Sequence, residues 1–145
     1  MTTISGFLAP DHKRCDELFA ATEVPVSKGE WDKATTEFSL FGDALLHHFV
    51  MEEEVLFPAF EARTGMTQGP TAVMRSEHRQ MMDLLIRMFN AIARKNTDAY
   101  LGDADTLLTF MQQHNIKEEQ MLYQMADQAL ASELDEVVGR MRAVA

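Results

Sequence analysis

HFVMEEEVLF (residues 48–57) and HNIKEEQMLY (residues 114–123) decide how this chain is read. Laid one on the other, they place His48 on His114, Glu52 on Glu118, Glu53 on Glu119 and Leu56 on Leu122, at an offset of 66 residues. The same offset holds upstream, where His12 falls on His78, Asp11 on Glu77, Lys13 on Arg79 and Leu18 on Leu84. Within each half the two histidines lie 36 residues apart. Such self-similarity marks a repeated supersecondary unit. Each half reads as a helical hairpin with one His on its first arm and H-x-x-x-E on its second.

His and Glu at i and i+4 share one face of a helix, about one turn apart. Apolar residues flank both faces, Leu45 and Val55 in the first half and Met111 and Met121 in the second, so both side chains are expected to point inward. In the second half each arm spans roughly 24 Å at 1.5 Å per residue, which returns His78 and His114 to one height. Four buried imidazoles and a buried carboxylate pair are costly without a cation. The candidate metal ligands are therefore His12, His48, Glu52, His78, His114 and Glu118. Imidazole with carboxylate suits iron, manganese or zinc, and the lack of thiolate argues against iron–sulfur chemistry. His47 maps to Gln113 and sits about 100° from His48, off the face. Glu53 and Glu119, at i+5, are expected to contact solvent or support the ligands from outside.

Turn and cap signals divide the chain into about five helices. The first is expected to begin near Pro10 and to stop before Val24-Pro25. Ser27 and Glu30 stand in capping-box spacing and mark the start of the second, which runs to Thr64-Gly65 with a kink at Pro58. After the loop GMTQG, Pro70 opens the third, which runs to about Lys95. Asn96-Thr97 cap the fourth, which runs to about Leu130, and Ser132 and Asp135 open a short amphipathic tail. Apolar residues recur at helical spacing, as in Leu84, Leu85, Met88 and Ile92, and no segment alternates like a strand. Short connections between long helices favour antiparallel neighbours. The expected fold is all-α: an up-down four-helix bundle over about residues 8–130, with a C-terminal helix over about 132–143, in a single domain spanning 1–145.

Composition agrees. The chain has 145 residues, with 13 Lys and Arg against 23 Asp and Glu, a formal net charge of −10. That acid excess disfavours nucleic acid and anionic membrane surfaces as partners. Only 7 Gly and 4 Pro are present, few for the turns of an all-β fold. Cys15 stands alone, which excludes an internal disulfide and a cysteine-based zinc site. It reads as a small core residue, and Trp31 as the cover of one bundle end. No signal peptide and no membrane span is read, so a cytoplasmic location is expected.

These motifs resemble the hemerythrin-like family, the HHE cation-binding domain. The matching features are His12, H-x-x-x-E at His48–Glu52, EHR around His78, H-x-x-x-E-E at His114–Glu119, and Pro58. No Glu-x-x-His occurs, which sets the chain apart from ferritin-like di-iron bundles. The resemblance implies two iron ions bridged by Glu52, Glu118 and a solvent-derived oxygen, with the four histidines as terminal ligands. Oxygen-carrying members have a fifth histidine one turn from His78, where this chain has Met74 and Met82. Two octahedral ions offer about twelve positions, and this set fills about ten, leaving roughly two exchangeable. The implied function is binding of oxygen or a related small ligand, nitric oxide or peroxide. The alternatives are a di-iron peroxidase or oxidase, an iron-donating repair factor, and an iron storage or sensing module.

Overall fold

A computed structural model of the chain describes residues 2–145. It is all-helical among the described residues. The first rod is α1 (Ile4–Ser27). The second combines α2 (Trp31–Val50), a π-helical turn over Met51–Leu56 and α3 (Phe57–Thr64). The third is α4 (Pro70–Ala93), and the fourth combines α5 (Thr97–Lys117), a second π-helical turn over Glu118–Leu122 and α6 (Tyr123–Ala129). A short α7 (Leu134–Arg142) packs on α1 and on the first π turn. The four rods pair as hairpins, α1 with α2 and α4 with α5, and the hairpins meet through α2 on α4 and α1 on α5 and α6. This is the up-down bundle with a fifth helix that the spacing implied.

Several boundaries differ from expectation. The first helix starts at Ile4, not at Pro10. Thr3 caps it by accepting from the Gly6 amide at 2.9 Å, and Asp127 accepts from the Ile4 amide at 2.6 Å. Burial of Ile4 and Leu8 adds the apolar contact that holds those turns. The helix also runs through Pro25 to Ser27. Pro25 falls in its last turn, and burial of Pro25 and Val26 outweighs one lost donor. Ser27 therefore forms no capping box: it ends the first helix, and Glu30 precedes the second without a side-chain cap.

Pro58 sits directly after the first π turn. There the Phe57 amide bonds back to the Glu52 carbonyl, one residue further than in an α-helix. A residue 58 amide in the same pattern would reach the Glu53 carbonyl. That carbonyl instead accepts from Arg75 at 3.4 Å.

Two apolar clusters fill the bundle, and the histidine layer lies between them. Along α1 the order is Leu8 in one cluster, then His12, then Cys15 in the other. The same interruption recurs at Leu45–His48–Met51, at Met74–His78–Met81 and at Met111–His114–Leu122. Cys15 is core, as expected, and burial pushes its thiol up to about 11. Trp31 packs on the same cluster. Met121, read as a flank of the inward face, is exposed instead. No helix among the described residues is long and apolar enough to cross a membrane.

Candidate metal centre

The second arm of each hairpin changes from α to π geometry at its inward glutamate. Glu52 lies in the turn over Met51–Leu56, and Glu118 opens the turn over Glu118–Leu122. Widening of a helix by one residue per turn is often found at functional sites. Here it lets two consecutive glutamates address one ring from opposite sides. Glu52 Oε1 lies 3.0 Å from Nε2 of His78, and Glu53 Oε2 lies 2.7 Å from Nδ1 of the same ring. Glu118 Oε1 lies 2.9 Å from Nε2 of His12, and Glu119 Oε2 lies 2.7 Å from its Nδ1. In both cases the glutamates of one hairpin bracket the first-arm imidazole of the other.

The second-arm imidazoles are held within their own hairpins. Asp11 meets Nδ1 of His48 at 2.8 Å, and Glu77 meets Nδ1 of His114 at 2.8 Å. Arg14 supports Asp11 at 2.9 Å and Lys117 supports Glu77 at 2.6 Å. Every Nδ1 thus faces a carboxylate, which can only accept, so the ring proton sits there and donates outward. Every Nε2 turns to the centre, where a cation would take the place of any proton it carries.

The six predicted residues converge in two groups, each with donor atoms within 4.8 Å of one another: His12, His48, Glu52 and Glu118, and His78, His114, Glu52 and Glu118. All six are buried, Glu52 and Glu118 fully. The groups share both carboxylates and divide the histidines by hairpin. Four atoms at the centre, Glu52 Oε1, Glu118 Oε2, His78 Nε2 and His114 Nε2, are buried and make no well-directed hydrogen bond, although Glu52 Oε1 and His78 Nε2 lie 3.0 Å apart. Lone pairs on nitrogen and oxygen facing each other in an apolar core are the environment a cation satisfies. Two nitrogens and two oxygens per group match the donor preferences of iron, zinc and manganese. A divalent metal at each group therefore fits the residues present.

Electrostatics point the same way. Burial disfavours charge on His78, yet Glu52 and Glu53 overcome it and lift the imidazole to about 9. His48 is likewise raised against burial, chiefly by Glu52 and Asp11. Against the same opposing burial, His114 and its neighbours hold Glu118 well below the usual carboxylate range. Metal-free, the carboxylates draw protons onto the rings; a dication would take the place of those protons.

Among the other candidates, Glu53 and Glu119 support the histidines from outside, as expected. His47 turns away and bonds the Val144 carbonyl at 3.1 Å. Met74 is buried in the apolar cluster one turn before His78, so no fifth imidazole stands there. Three residues of the site were not anticipated. Asp11 and Glu77 were visible as the acidic residue preceding each first-arm histidine. Tyr123, whose hydroxyl donates to Glu52 at 2.6 Å, is visible only where the repeat fails, opposite Phe57.

Comparison with known proteins agrees with the geometry. Residues 3–126 match the hemerythrin HHE cation binding domain. An uncharacterized hemerythrin-like protein of Schizosaccharomyces pombe is 27% identical over 120 residues, covering 83% of this chain and 57% of the yeast protein. The chain thus spans little more than half the length of that relative. No solved structure matches it. With most of its length matched and its histidines and glutamates gathered as described, the chain belongs to the hemerythrin-like, HHE cation-binding domain family.

Proposed function

We propose that the chain holds two iron ions and binds oxygen or a related small ligand, such as nitric oxide or peroxide, at a carboxylate-bridged centre. One observation carries the reading: the two four-residue groups have Glu52 and Glu118 in common, Glu52 turning Oε1 to His78 at 3.0 Å and Oε2 to His48 at 3.5 Å, and Glu118 placing Oε1 2.9 Å from His12 and 3.2 Å from His114. His12 and His48 would hold one ion, and His78 and His114 the other. Bound iron supplies open coordination positions and electrons for a small ligand. The protein's part is to fix the donors, to hold each ring with Nε2 toward the centre through the carboxylate on its Nδ1, and to exclude water. Phe49 stacks on His78 at a centroid distance of 3.9 Å, and Phe57 lies beyond at 5.7 Å, so this wall is apolar.

Aerobic loading of the protein with iron tests the reading. Two irons per chain are expected, with a visible spectrum that changes on oxygenation and reverts on removal of oxygen. A colourless protein that retains one metal or none overturns it.

A further inference from the structure

The offset of 66 residues that relates the hairpins places Tyr123 on Phe57. The rings occupy equivalent places: Phe57 lies 5.7 Å from His78 at an interplanar angle of 22°, and Tyr123 lies 5.7 Å from His12 at 20°. The difference between the halves at this position is one hydroxyl. Its oxygen lies 2.6 Å from Glu52 Oε2 and 3.1 Å from Glu118 Oε1. It also lies 3.2 Å from His12 Nε2 and 3.3 Å from His48 Nε2. These four residues are the first metal-binding group in full. At the edge of the second group stand Phe57 and Phe49, and the four atoms of the centre without a well-directed hydrogen bond include both of its Nε2 atoms.

A buried phenol ordinarily needs one acceptor. Glu52 supplies that, yet three further donor atoms surround the same oxygen. Neighbouring donors on one ion with bonds near 2.1 Å stand about 3 Å apart, which is the spacing found here. Resting on the di-iron reading above, we propose that Tyr123 is a seventh protein ligand. Its phenolate oxygen binds the iron held by His12 and His48, as the O–H bond breaks and the proton leaves to solvent. The six-residue set with a bridging oxygen leaves about one open position on each ion. Tyr123 closes the first, so the exchangeable position belongs to the iron of His78 and His114, against Phe49 and Phe57. Met74 and Met82 stand where a fifth histidine ligand would be, and on this proposal the chain reaches a single open position by a phenolate on the opposite ion.

Iron-loaded wild-type protein and Tyr123→Phe test this by iron content, resonance Raman spectroscopy excited in the visible, and azide titration. Two irons are expected in both, since the variant reproduces the residue already present in the equivalent place. Tyrosinate ring vibrations are expected in the wild type alone, with one azide bound per centre in the wild type and two in the variant. Wild-type protein holding two irons without tyrosinate vibrations overturns the proposal, as does an equal azide stoichiometry in the two proteins. Fewer than two irons in the wild type overturns the di-iron reading, and this inference with it.

Discussion

Asp11 meets Nδ1 of His48 at 2.8 Å, and this contact decides which ring nitrogen is free for a cation. The carboxylate can only accept, so a proton stays on Nδ1, and Nε2 is the nitrogen that a cation can take. Burial opposes charge on Asp11, but His48 and Arg14 outweigh it and bring the carboxyl down to about 2. Removal of such a supporting carboxylate typically weakens metal binding by about 10–100-fold. Asp11→Ala is expected to lose affinity in that range while keeping its helix content. Chelator competition on the loaded protein measures the first and circular dichroism the second. Unchanged affinity would show that packing alone orients the ring.

Sharing of the carboxylates makes the ligands unequal in how many donor groups each one serves. Glu52→Ala removes a donor from both groups and is expected to abolish the two-ion state. His114→Ala removes a donor from one group and is expected to leave a single ion at His12 and His48. Elemental analysis of the purified variants separates these outcomes, and two ions in Glu52→Ala would contradict the shared bridge.

In the metal-free chain, His78 is lifted to about 9 and His48 and His114 are also raised, with burial opposing and the carboxylates prevailing. A histidine whose folded value exceeds the unfolded value of about 6.5 binds more protons folded than unfolded. The stability it contributes is complete below about pH 6.5 and is lost as the pH rises toward 9. Melting temperatures of metal-free protein are expected to fall across that interval. Loaded protein, whose rings hold metal in place of protons, is expected to lack this fall. A melting temperature that rises with pH in the metal-free chain contradicts the sign.

The apolar cluster around Phe41 is remote in kind from the metal layer. Phe41 is fully buried, with edge contacts to Phe19 and Phe38 at 5.4 and 6.2 Å. Phe41→Ala is expected to cost about 3–5 kcal/mol in denaturant unfolding, with two metals retained by the fraction that folds. Loss of metal without loss of stability would mean that this cluster sets the ligand geometry.

Local periodicity made the rods legible, and the offset of 66 residues brought out the six inward residues. What stayed hidden depended on contacts between distant segments. The start at Ile4 has a local sign in the Thr3 cap, but it also draws on Asp127, more than a hundred residues away. Passage through Pro25 depends on burial, which competes with the local rule against proline. The π turns were invisible because His-x-x-x-Glu fits an α-helix equally well. Their effect shows in the pairs Glu52–Glu53 and Glu118–Glu119, where both members engage one ring. Tyr123 stands opposite Phe57, where the two halves differ, so the offset that marks the six inward residues does not mark it.

The cross-bracketing of His12 by Glu118 and Glu119, and of His78 by Glu52 and Glu53, bears on how such a chain could arise. Neither hairpin can clamp its own first-arm histidine; each needs the glutamates of a second hairpin. Two identical hairpins related by a two-fold axis would supply every clamp reciprocally, because an isologous pairing returns each contact it makes. A symmetric dimer of one hairpin would thus hold the full set of imidazole clamps before any fusion of two copies. Fusion would then free the copies to diverge, and a single change between Phe and Tyr at positions 57 and 123 is enough to end the equivalence of the two donor groups.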